Sequence, residues 1–372
     1  MIRSLLSLCL LIHLAILPIS GAADGNRISA EEVEESCKRA TKFLLSQQYP
    51  NGCIQELGRM DRDRRNGVPK GGVAMTSLAI MGLASIGHLP GDPTDEGDAI
   101  LKALEFVLDP RHQHNEPGSP LDGYFGNADE SRMYGHGIIT LMLAEILGMG
   151  VDEAMDAQLS RSCQRAIDLI LRSQKVKRNK RNQGGWRYEP LQADADLSVT
   201  VWQLMALRAA KNAGLEVPTA AIEQGVQYVR NCYHSRYKDG KPVDKDRGFG
   251  YEAGGGAKFS TTAEGLLSMQ VCGQYEAPEV IGASNYLLKN GPRWGGEWFF
   301  YGTYYYAQGM AQRGGEHAST SKQKTALEML KRQHRDGSWK TGEGHNAGSI
   351  YCTSLALLSL SIHHNYLPIY QR

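Results

Sequence analysis

Two kinds of helical segment alternate along the chain. Six segments place apolar side chains on one face and charges on the other, which predicts amphipathic helices over residues 31–46, 98–108, 159–173, 219–232, 278–289 and 319–332. Between them lie six nearly uncharged segments, which predict helices buried on all sides over residues 73–86, 133–147, 196–213, 259–272, 301–312 and 349–363. The chain therefore predicts six helical hairpins of about 40 to 60 residues, a length typical of helical repeats.

Two helix types repeated six times indicate two concentric layers of helices. An open solenoid needs polar caps at its ends, yet residues 366–370 remain apolar close to the end of the sequence. A closed ring, in which the end packs against the beginning, explains this better. We predict an all-α fold, an (α/α)6 toroid over residues 24–372, with an open superhelix as the alternative. No strand alternation is present.

The first 23 residues predict a secretory signal peptide. Arg3 precedes an apolar run, and the small residues at 20–23 resemble a cleavage site. The alternative is an uncleaved anchor, although the run is shorter than the roughly 20 residues of a spanning helix. We expect an exported protein, periplasmic or extracellular, with no transmembrane segment after the signal is removed.

The overall charge gives no sign of a nucleic-acid partner. The formal net charge is +1, so the chain lacks the excess of basic residues that binding to phosphates requires.

Six cysteines follow the predicted signal segment, scattered along the chain and without a C-x-x-C pair. An exported protein can hold disulfides, but positions on apolar helix faces favour buried free thiols.

The turns between hairpins carry a recognisable motif. Residues 333–339 read QHRDGSW, residues 183–186 read QGGW, and residues 48–52 read QYPNG. These stretches resemble the QW repeats of squalene–hopene and oxidosqualene cyclases, which also occur loosely in protein prenyltransferase β subunits. In layout the chain is most similar to exported bacterial prenyltransferase and squalene-oxidase-repeat proteins. In physical terms the Gln amide can cap a helix end, Gly permits the turn and Trp fills the gap between hairpins.

The resemblance implies an acid at the start of an inner helix. Hopene cyclases carry a D-x-D-D motif there, and the matching place in this chain holds Asp194 and Asp196 without an adjacent acid pair. We take both as catalytic candidates, although Asp196 can equally be the helix N-cap. His136, flanked by two glycines, is the third catalytic candidate, and its alternative role is a bond to a carbonyl.

The resemblance to prenyltransferases does not extend to their zinc site. Cys352 stands where a His ligand is expected, and residues 259–262 supply neither the Asp nor the Cys ligand. We therefore expect neither zinc nor any other cofactor.

Aromatic, acidic and basic side chains gather where the inner helices begin. Such a rim suits an extended apolar ligand or a developing cation, although the tyrosines can also be packing residues. The predicted ligand-binding residues are Arg132, Tyr134, Glu297, Trp298, Tyr301, Tyr304, Tyr305, His345 and Tyr351.

Two functions remain open on this basis. The first is binding of an isoprenoid or another apolar molecule in the ring, with or without isomerase or lyase-type turnover. The second is a non-catalytic scaffold that binds an envelope protein or a glycan. The fold alone cannot choose between them, because one scaffold hosts many functions.

Overall fold

The computed structural model describes residues 28–56, 64–65, 68–149, 152–340, 348–364 and 366–371. The predicted signal peptide and the candidate His345 lie outside the described residues. Within them, no helix is both long and apolar enough to cross a lipid bilayer.

The described residues contain twelve α-helices, in the predicted alternation of two types. The outer helices are α1 Ala30–Ser46, α3 Asp95–Val107, α5 Glu153–Gln174, α7 Thr219–Asn231, α9 Pro278–Lys289 and α11 Gly315–Leu330. The inner helices are α2 Gly72–Ala84, α4 Arg132–Ile146, α6 Leu197–Asn212, α8 Phe259–Val271, α10 Phe299–Arg313 and α12 Gly348–Leu360. The main departures from the prediction are at α5 and α11, which begin six and four residues earlier than the sequence pattern indicated.

Capping residues set the starts of several outer helices. Ser29 accepts a hydrogen bond from the Glu32 backbone N–H while the Glu32 carboxylate accepts one from the Ser29 N–H, a reciprocal capping box. Asp152 caps α5 in the simpler way, through the Met155 N–H at 2.8 Å. Inner helices such as α2 and α12 are buried around nearly their whole circumference, because they lie between the outer layer and their neighbours in the inner layer.

The inner helices form a closed ring. Packing contacts run in the order α2, α4, α6, α8, α10 and α12, and α12 then packs against α2. The first hairpin also meets the last, because the outer helix α1 contacts both helices of the last hairpin, α11 and α12. The predicted (α/α)6 toroid is therefore confirmed, and the open superhelix is excluded.

A glutamine joint connects neighbouring hairpins at four places. In each, the side-chain amide donates to a carbonyl within its own turn and to a carbonyl of the next outer helix. The glutamines and their partners in the next helix are Gln48 with Ala99, Gln113 with Ser162, Gln174 with Ala221 and Gln333 with Ser36, at 2.7 to 2.9 Å. The sequence analysis found three of these turns and missed the one at Gln113. In the QGGW turn it pointed to Gln183, whereas the glutamine that makes the joint is Gln174.

Glycine is required inside these joints. Gly184 has φ +90° and Gly337 has φ +88°, both in the left-handed region. A Cβ on either would lie 2.2 Å from a carbonyl oxygen of the next outer helix, that of Gln224 or Arg39 respectively. The QW-like pattern thus marks where two hairpins approach each other through their backbones.

A second bond ties each turn to its own inner helix. The backbone N–H of Trp186 donates to the Thr200 hydroxyl at 3.0 Å, and that of Trp339 donates to the Thr353 hydroxyl at 3.1 Å. Two further turns repeat the arrangement with an apolar residue in place of Trp, Ile54 with Thr76 and Phe249 with Thr262. Both tryptophans are buried, and their indole N–H groups donate to carbonyls of the preceding outer helix.

Two short β-hairpins lie in the loops, which the sequence analysis did not predict. Strands β1 Arg64–Arg65 and β2 Val68–Pro69 pair antiparallel, as do β3 Tyr237–Lys238 and β4 Lys241–Pro242. Each strand has two residues, so the fold class remains all-α.

The final described segment, which we call the tail (366–371), lies across the ring. Tyr366 approaches Gly87, just after α2, so the tail meets the first inner helix as expected. Beyond it, the 3-10 turn Pro368–Tyr370 packs against α6, which the sequence analysis did not foresee. The Tyr370 hydroxyl bonds to the Tyr304 hydroxyl of α10. The tail therefore occupies the end of the ring opposite the inner-helix N-termini.

All six cysteines in the described residues are free thiols, and five of them are buried. This confirms the expectation of buried thiols over a disulfide framework. Burial raises the pKa of Cys163 and Cys232 to about 12, so these thiols are protonated and unreactive at neutral pH.

Candidate functional site

A cavity of about 810 Å³ opens where the inner helices begin. Its size falls within the roughly 300–1,000 Å³ of small-molecule sites. Side chains from the starts of α4, α6, α8, α10 and α12 contribute to its wall, together with the loop before α2.

Aromatic side chains make up much of the wall. Five residues that the sequence analysis assigned to ligand binding come together here: Tyr134, Glu297, Trp298, Tyr301 and Tyr351. Three further aromatic side chains that it did not assign complete the wall: Tyr188, Trp202 and Tyr251. The hydroxyls of Tyr188 and Tyr251 bond to each other at 2.6 Å, which fixes two rings from different loops side by side.

Tyr304 and Tyr305 were also assigned to ligand binding, but they do not line the cavity. Both are fully buried one turn deeper along α10. The Tyr304 ring stacks on Trp202 with centroids 6.0 Å apart, and Tyr305 meets Trp202 edge to face at 5.8 Å. They form a packed aromatic layer between the cavity and the tail, which is the packing role that the sequence analysis left open for the tyrosines.

Arg132 does not line the cavity either. It begins α4 with φ +58° and directs its guanidinium to Glu189, with a contact of 3.2 Å. Both side chains are more than half exposed, so this pair contributes little to stability.

The structure places Asp194 and Asp196 outside the cavity wall. Asp196 is fully buried and caps α6, because its Oδ1 accepts the Val199 N–H at 2.8 Å. Burial raises the pKa of this carboxyl to about 6, against the opposing effects of the Val199 N–H and of Arg187. The Arg187 Nε lies 3.4 Å from a carboxylate oxygen of each aspartate, and Asp194 is about half exposed. The capping role, which the sequence analysis held as the alternative, is therefore observed for Asp196.

His136 is likewise directed away from the cavity. Its Nδ1 accepts the Phe125 backbone N–H at 3.3 Å, and its Nε2 lies 3.1 Å from the Ala166 carbonyl. His136 thus accepts the backbone N–H of its turn, as the hydroxyls of Thr200 and Thr353 do in two other turns. Burial lowers the pKa of His136 to about 3, so the ring is neutral. Its neighbouring glycines serve close packing, since a Cβ on Gly137 would lie 2.5 Å from the Gln203 amide.

The cavity holds one buried acid that the sequence analysis missed. Glu264 lies on α8, is 1% exposed, and lines the cavity. Its Oε2 has no hydrogen-bond partner among the described residues. The signal was present in the sequence, because Glu264 is the single charged residue in an otherwise uncharged inner helix.

Charged residues surround the mouth in pairs. Lys258, the N-cap residue of α8, contacts Glu297 at 3.1 Å, and Lys70 lies 3.6 Å from Glu130. Trp298 stands beside them with φ +59°, a left-handed conformation that non-glycine residues rarely adopt. Strained residues of this kind occur preferentially at functional sites.

No group of three or more His, Cys, Asp or Glu side chains within the described residues is arranged to hold a metal ion. The cavity wall offers aromatic faces, hydroxyls and the buried Glu264 carboxyl, and its charged pairs lie at the mouth. This chemistry suits a mostly apolar molecule with few polar groups.

Comparison with known proteins supports the fold. No family model matches the sequence, and no curated protein matches it. Among solved structures, an apo type II terpene cyclase, MstE from Scytonema, is 15% identical with a TM-score of 0.53, covering 90% of this chain and 98% of its own.

Two carbohydrate-active proteins are similar to the same degree. An α-1,6-mannanase of Salegentibacter sp. HEL1_6 with bound α-1,6-mannotetrose is 7% identical with a TM-score of 0.57, covering 89% of this chain and 99% of its own. The cellobiose 2-epimerase from Spirochaeta thermophila DSM 6192 is 15% identical with a TM-score of 0.53. The match covers 90% of this chain and 98% of the epimerase chain. At these identities the likeness shows the fold alone, and it places the chain among the α/α toroids, the fold that the terpenoid cyclases share.

Proposed function

We propose that this protein binds an extended apolar ligand, an isoprenoid or a molecule of similar character, in the cavity at the inner-helix N-termini. The observation that carries the proposal is the cavity itself, about 810 Å³ in volume and walled by aromatic side chains from separate elements. Each buried CH₂ of such a ligand contributes about 0.8 kcal/mol to binding. We further propose that the protein acts outside the cytoplasm, on the basis of its N-terminal segment.

The substrates named for the neighbouring structures frame this choice. A variant of the terpene cyclase was solved with geranylgeranyl dihydroxybenzoate, and the mannanase with mannose oligomers. The wall of the present cavity favours the first type of ligand, because its aromatic faces outnumber its charged groups and the lysines at the mouth are paired with glutamates.

Native mass spectrometry tests the proposal directly. The purified protein is incubated separately with geranylgeraniol, squalene and an α-mannose oligosaccharide, and both bound and converted material are measured. We expect a one-to-one complex with an isoprenoid. A converted product would add turnover to binding, whereas the absence of any isoprenoid complex would overturn the proposal.

A pair of tryptophan substitutions shows where the ligand sits. Ala74 lines the cavity and is buried, so Ala74→Trp fills part of its volume. Ala220 is exposed on the outer helix α7, so Ala220→Trp adds the same side chain away from the cavity. We expect Ala74→Trp to weaken isoprenoid binding and Ala220→Trp to leave it unchanged. Equal binding by both variants would place the ligand elsewhere.

A glycan at the mouth is the second candidate. Trp298 exposes 39% of its surface, and Lys258 and Glu297 offer polar groups beside it. A sugar ring could stack on the indole without entering the ring of helices. In that case the oligosaccharide would bind, Trp298→Ala would abolish binding, and Ala74→Trp would not affect it.

A further inference from the structure

Glu264 is the buried acid of the cavity wall. Three glutamates line the wall, and two of them, Glu130 and Glu297, lie at the mouth within reach of lysines. Glu264 is instead 1% exposed and leaves Oε2 without a partner among the described residues. A buried polar atom without a partner costs roughly 1–3 kcal/mol, so a partner supplied by a ligand would relieve that cost.

The groups around Glu264 favour its neutral form. The titratable groups that interact with it electrostatically are Asp196 at the start of α6, Tyr134 on α4, Tyr301 and Tyr305 on α10, and Cys232 after α7. None of these carries a positive charge. A polar interaction with the Ser198 side chain lowers the pKa of Glu264, in the opposite direction, although no hydrogen bond joins Ser198 to Oε2.

Burial raises the pKa of Glu264 to about 8, so the carboxyl is protonated at neutral pH and has a proton to donate. An acid this weak is poorly suited to protonating an alkene, which needs a strong acid. It is well suited to donating a hydrogen bond to an oxygen atom in an apolar site.

From this geometry, and resting on the proposed function, we propose that the cavity selects apolar ligands that carry a hydrogen-bond-accepting oxygen, such as an isoprenoid ketone or aldehyde. The neutral Glu264 carboxyl donates its proton in a hydrogen bond to that oxygen. The remainder of the ligand lies against Trp202, Tyr301 and the other aromatic side chains of the wall. No bond is made or broken in this step.

The test compares an isoprenoid ketone with the hydrocarbon of the same carbon skeleton. Dissociation constants are measured at pH 6.5 and pH 9.5 for the wild type and for Glu264→Gln and Glu264→Leu. A net hydrogen bond is worth about 0.5–1.5 kcal/mol, so the wild type should bind the ketone about 2- to 13-fold more tightly than the hydrocarbon at pH 6.5. At pH 9.5 the carboxylate has no proton to donate, and the preference should disappear.

The two variants separate hydrogen bonding from ionisation. Glu264→Gln keeps N–H donors and does not titrate, so its ketone preference should be the same at both pH values. Glu264→Leu should show no ketone preference at either pH while still binding the hydrocarbon, which also demonstrates that the cavity is intact. If the Leu variant fails to fold, the pH response of the Gln variant decides the question.

Glu145 provides the matched control. It is the other acid within an inner helix, is 2% exposed, and burial likewise raises its pKa to about 8, but it lies at the tail and not at the cavity. Glu145→Gln should therefore retain the ketone preference and its loss at pH 9.5. A pH response lost in Glu145→Gln would contradict the assignment to Glu264.

The failures of the two proposals are distinguishable. If the wild type binds the hydrocarbon but does not prefer the ketone, or if Glu264→Leu keeps the preference, the role of Glu264 is wrong and the apolar site stands. If neither probe binds any form of the protein, both proposals are overturned.

Discussion

The backbone N–H of Ile369 donates to Oε2 of Glu145 at 3.1 Å, across 224 residues of sequence. Glu145 lies near the C-terminal end of α4, and Ile369 lies in the 3-10 turn of the tail. This bond and the contact between the Tyr304 and Tyr370 hydroxyls hold the tail across the end of the ring opposite the cavity. Both bonds are buried, so they are not weakened by competition with water.

Removing the acceptor at Glu145 should loosen the tail. In Glu145→Leu the buried Ile369 N–H loses its partner, at a cost of about 1–3 kcal/mol. We expect faster hydrogen exchange in a peptide that covers residues 366–371, measured by mass spectrometry. Glu145→Gln keeps a carbonyl acceptor at the same place and should exchange as slowly as the wild type. Unchanged exchange in the Leu variant would mean that other contacts hold the tail.

His136 should make the fold sensitive to acid. Its pKa in the folded protein is about 3, below its ordinary value of 6.5, so the folded state binds the proton less readily than the unfolded chain. The stability that His136 contributes is therefore present above pH 6.5 and decreases as the pH falls towards 3. Between pH 6.5 and 4.5 the decrease is about 2–3 kcal/mol.

Urea denaturation across this pH range provides the measurement. His136→Gln cannot take up the proton, so its free energy of unfolding should fall less steeply than that of the wild type. The control is His88→Gln, at a partly exposed histidine after α2. Parallel curves for the wild type and His136→Gln would show that the imidazole is not kept neutral.

Replacing Trp298 by glycine should have opposite effects on stability and on ligand binding. A non-glycine residue in the left-handed region costs about 1–2 kcal/mol, and Trp298→Gly removes that cost. The variant should therefore unfold at an equal or higher denaturant concentration while binding an apolar ligand less tightly, because a side chain of the cavity wall is gone. Both quantities can be measured on one preparation.

The contrast to Trp298 is Trp294, four residues earlier. Trp294 is similarly exposed, but it has no left-handed backbone, and its ring packs on Phe299 and under the Arg332 guanidinium. Trp294→Gly should destabilise the protein without affecting ligand binding. A loss of stability in both variants would indicate that the backbone of Trp298 is not strained.

Gln333 should stabilise the contact between the last hairpin and the first. Its amide donates to the Ser36 carbonyl at 2.8 Å and to the Gly337 carbonyl at 3.0 Å, and its Oε1 accepts from the Ser36 hydroxyl at 2.9 Å. Gln333→Ala should lower the free energy of unfolding by about 1–3 kcal/mol, because these groups lose their partners.

The matched control is Gln227→Ala, at an exposed glutamine on α7 whose amide donates to Asn231 one turn away in the same helix. That variant should unfold within about 0.5 kcal/mol of the wild type. If the two alanine variants were equally stable, the joint at Gln333 would not hold the ring closed.

The sequence predicted the ring because its information is local and periodic. Apolar stripes identify the outer helices, uncharged segments identify the inner ones, and the QW-like turns identify the places where hairpins meet. The course of the tail was only partly predictable. Residues such as Ile369 and Tyr370 are visibly apolar, which indicates burial, but periodicity does not say which helices will cover them.

The site was harder to predict than the fold. The starts of the inner helices pointed to Tyr134, Trp298 and Tyr301, which lie in the cavity wall because position along the helix determines nearness to the mouth. His136 was chosen as a catalytic candidate because glycines flank it, but those glycines permit the close packing of neighbouring helices. Glu264 was overlooked because no motif surrounds it, although an isolated acid in an uncharged helix is itself a signal of an unusual environment.

The glutamine joints that hold the ring together and the side chains that line the cavity are different sets of residues. Gln174, Gln333 and their counterparts bond outward to the next hairpin, and none of the four glutamines contributes to the cavity wall. Substitutions on the wall can therefore change what the cavity accepts without altering the circumference of the scaffold. Exchanging a few side chains that face the cavity would therefore change the ligand preference of a toroid of this kind while the helical ring stays the same.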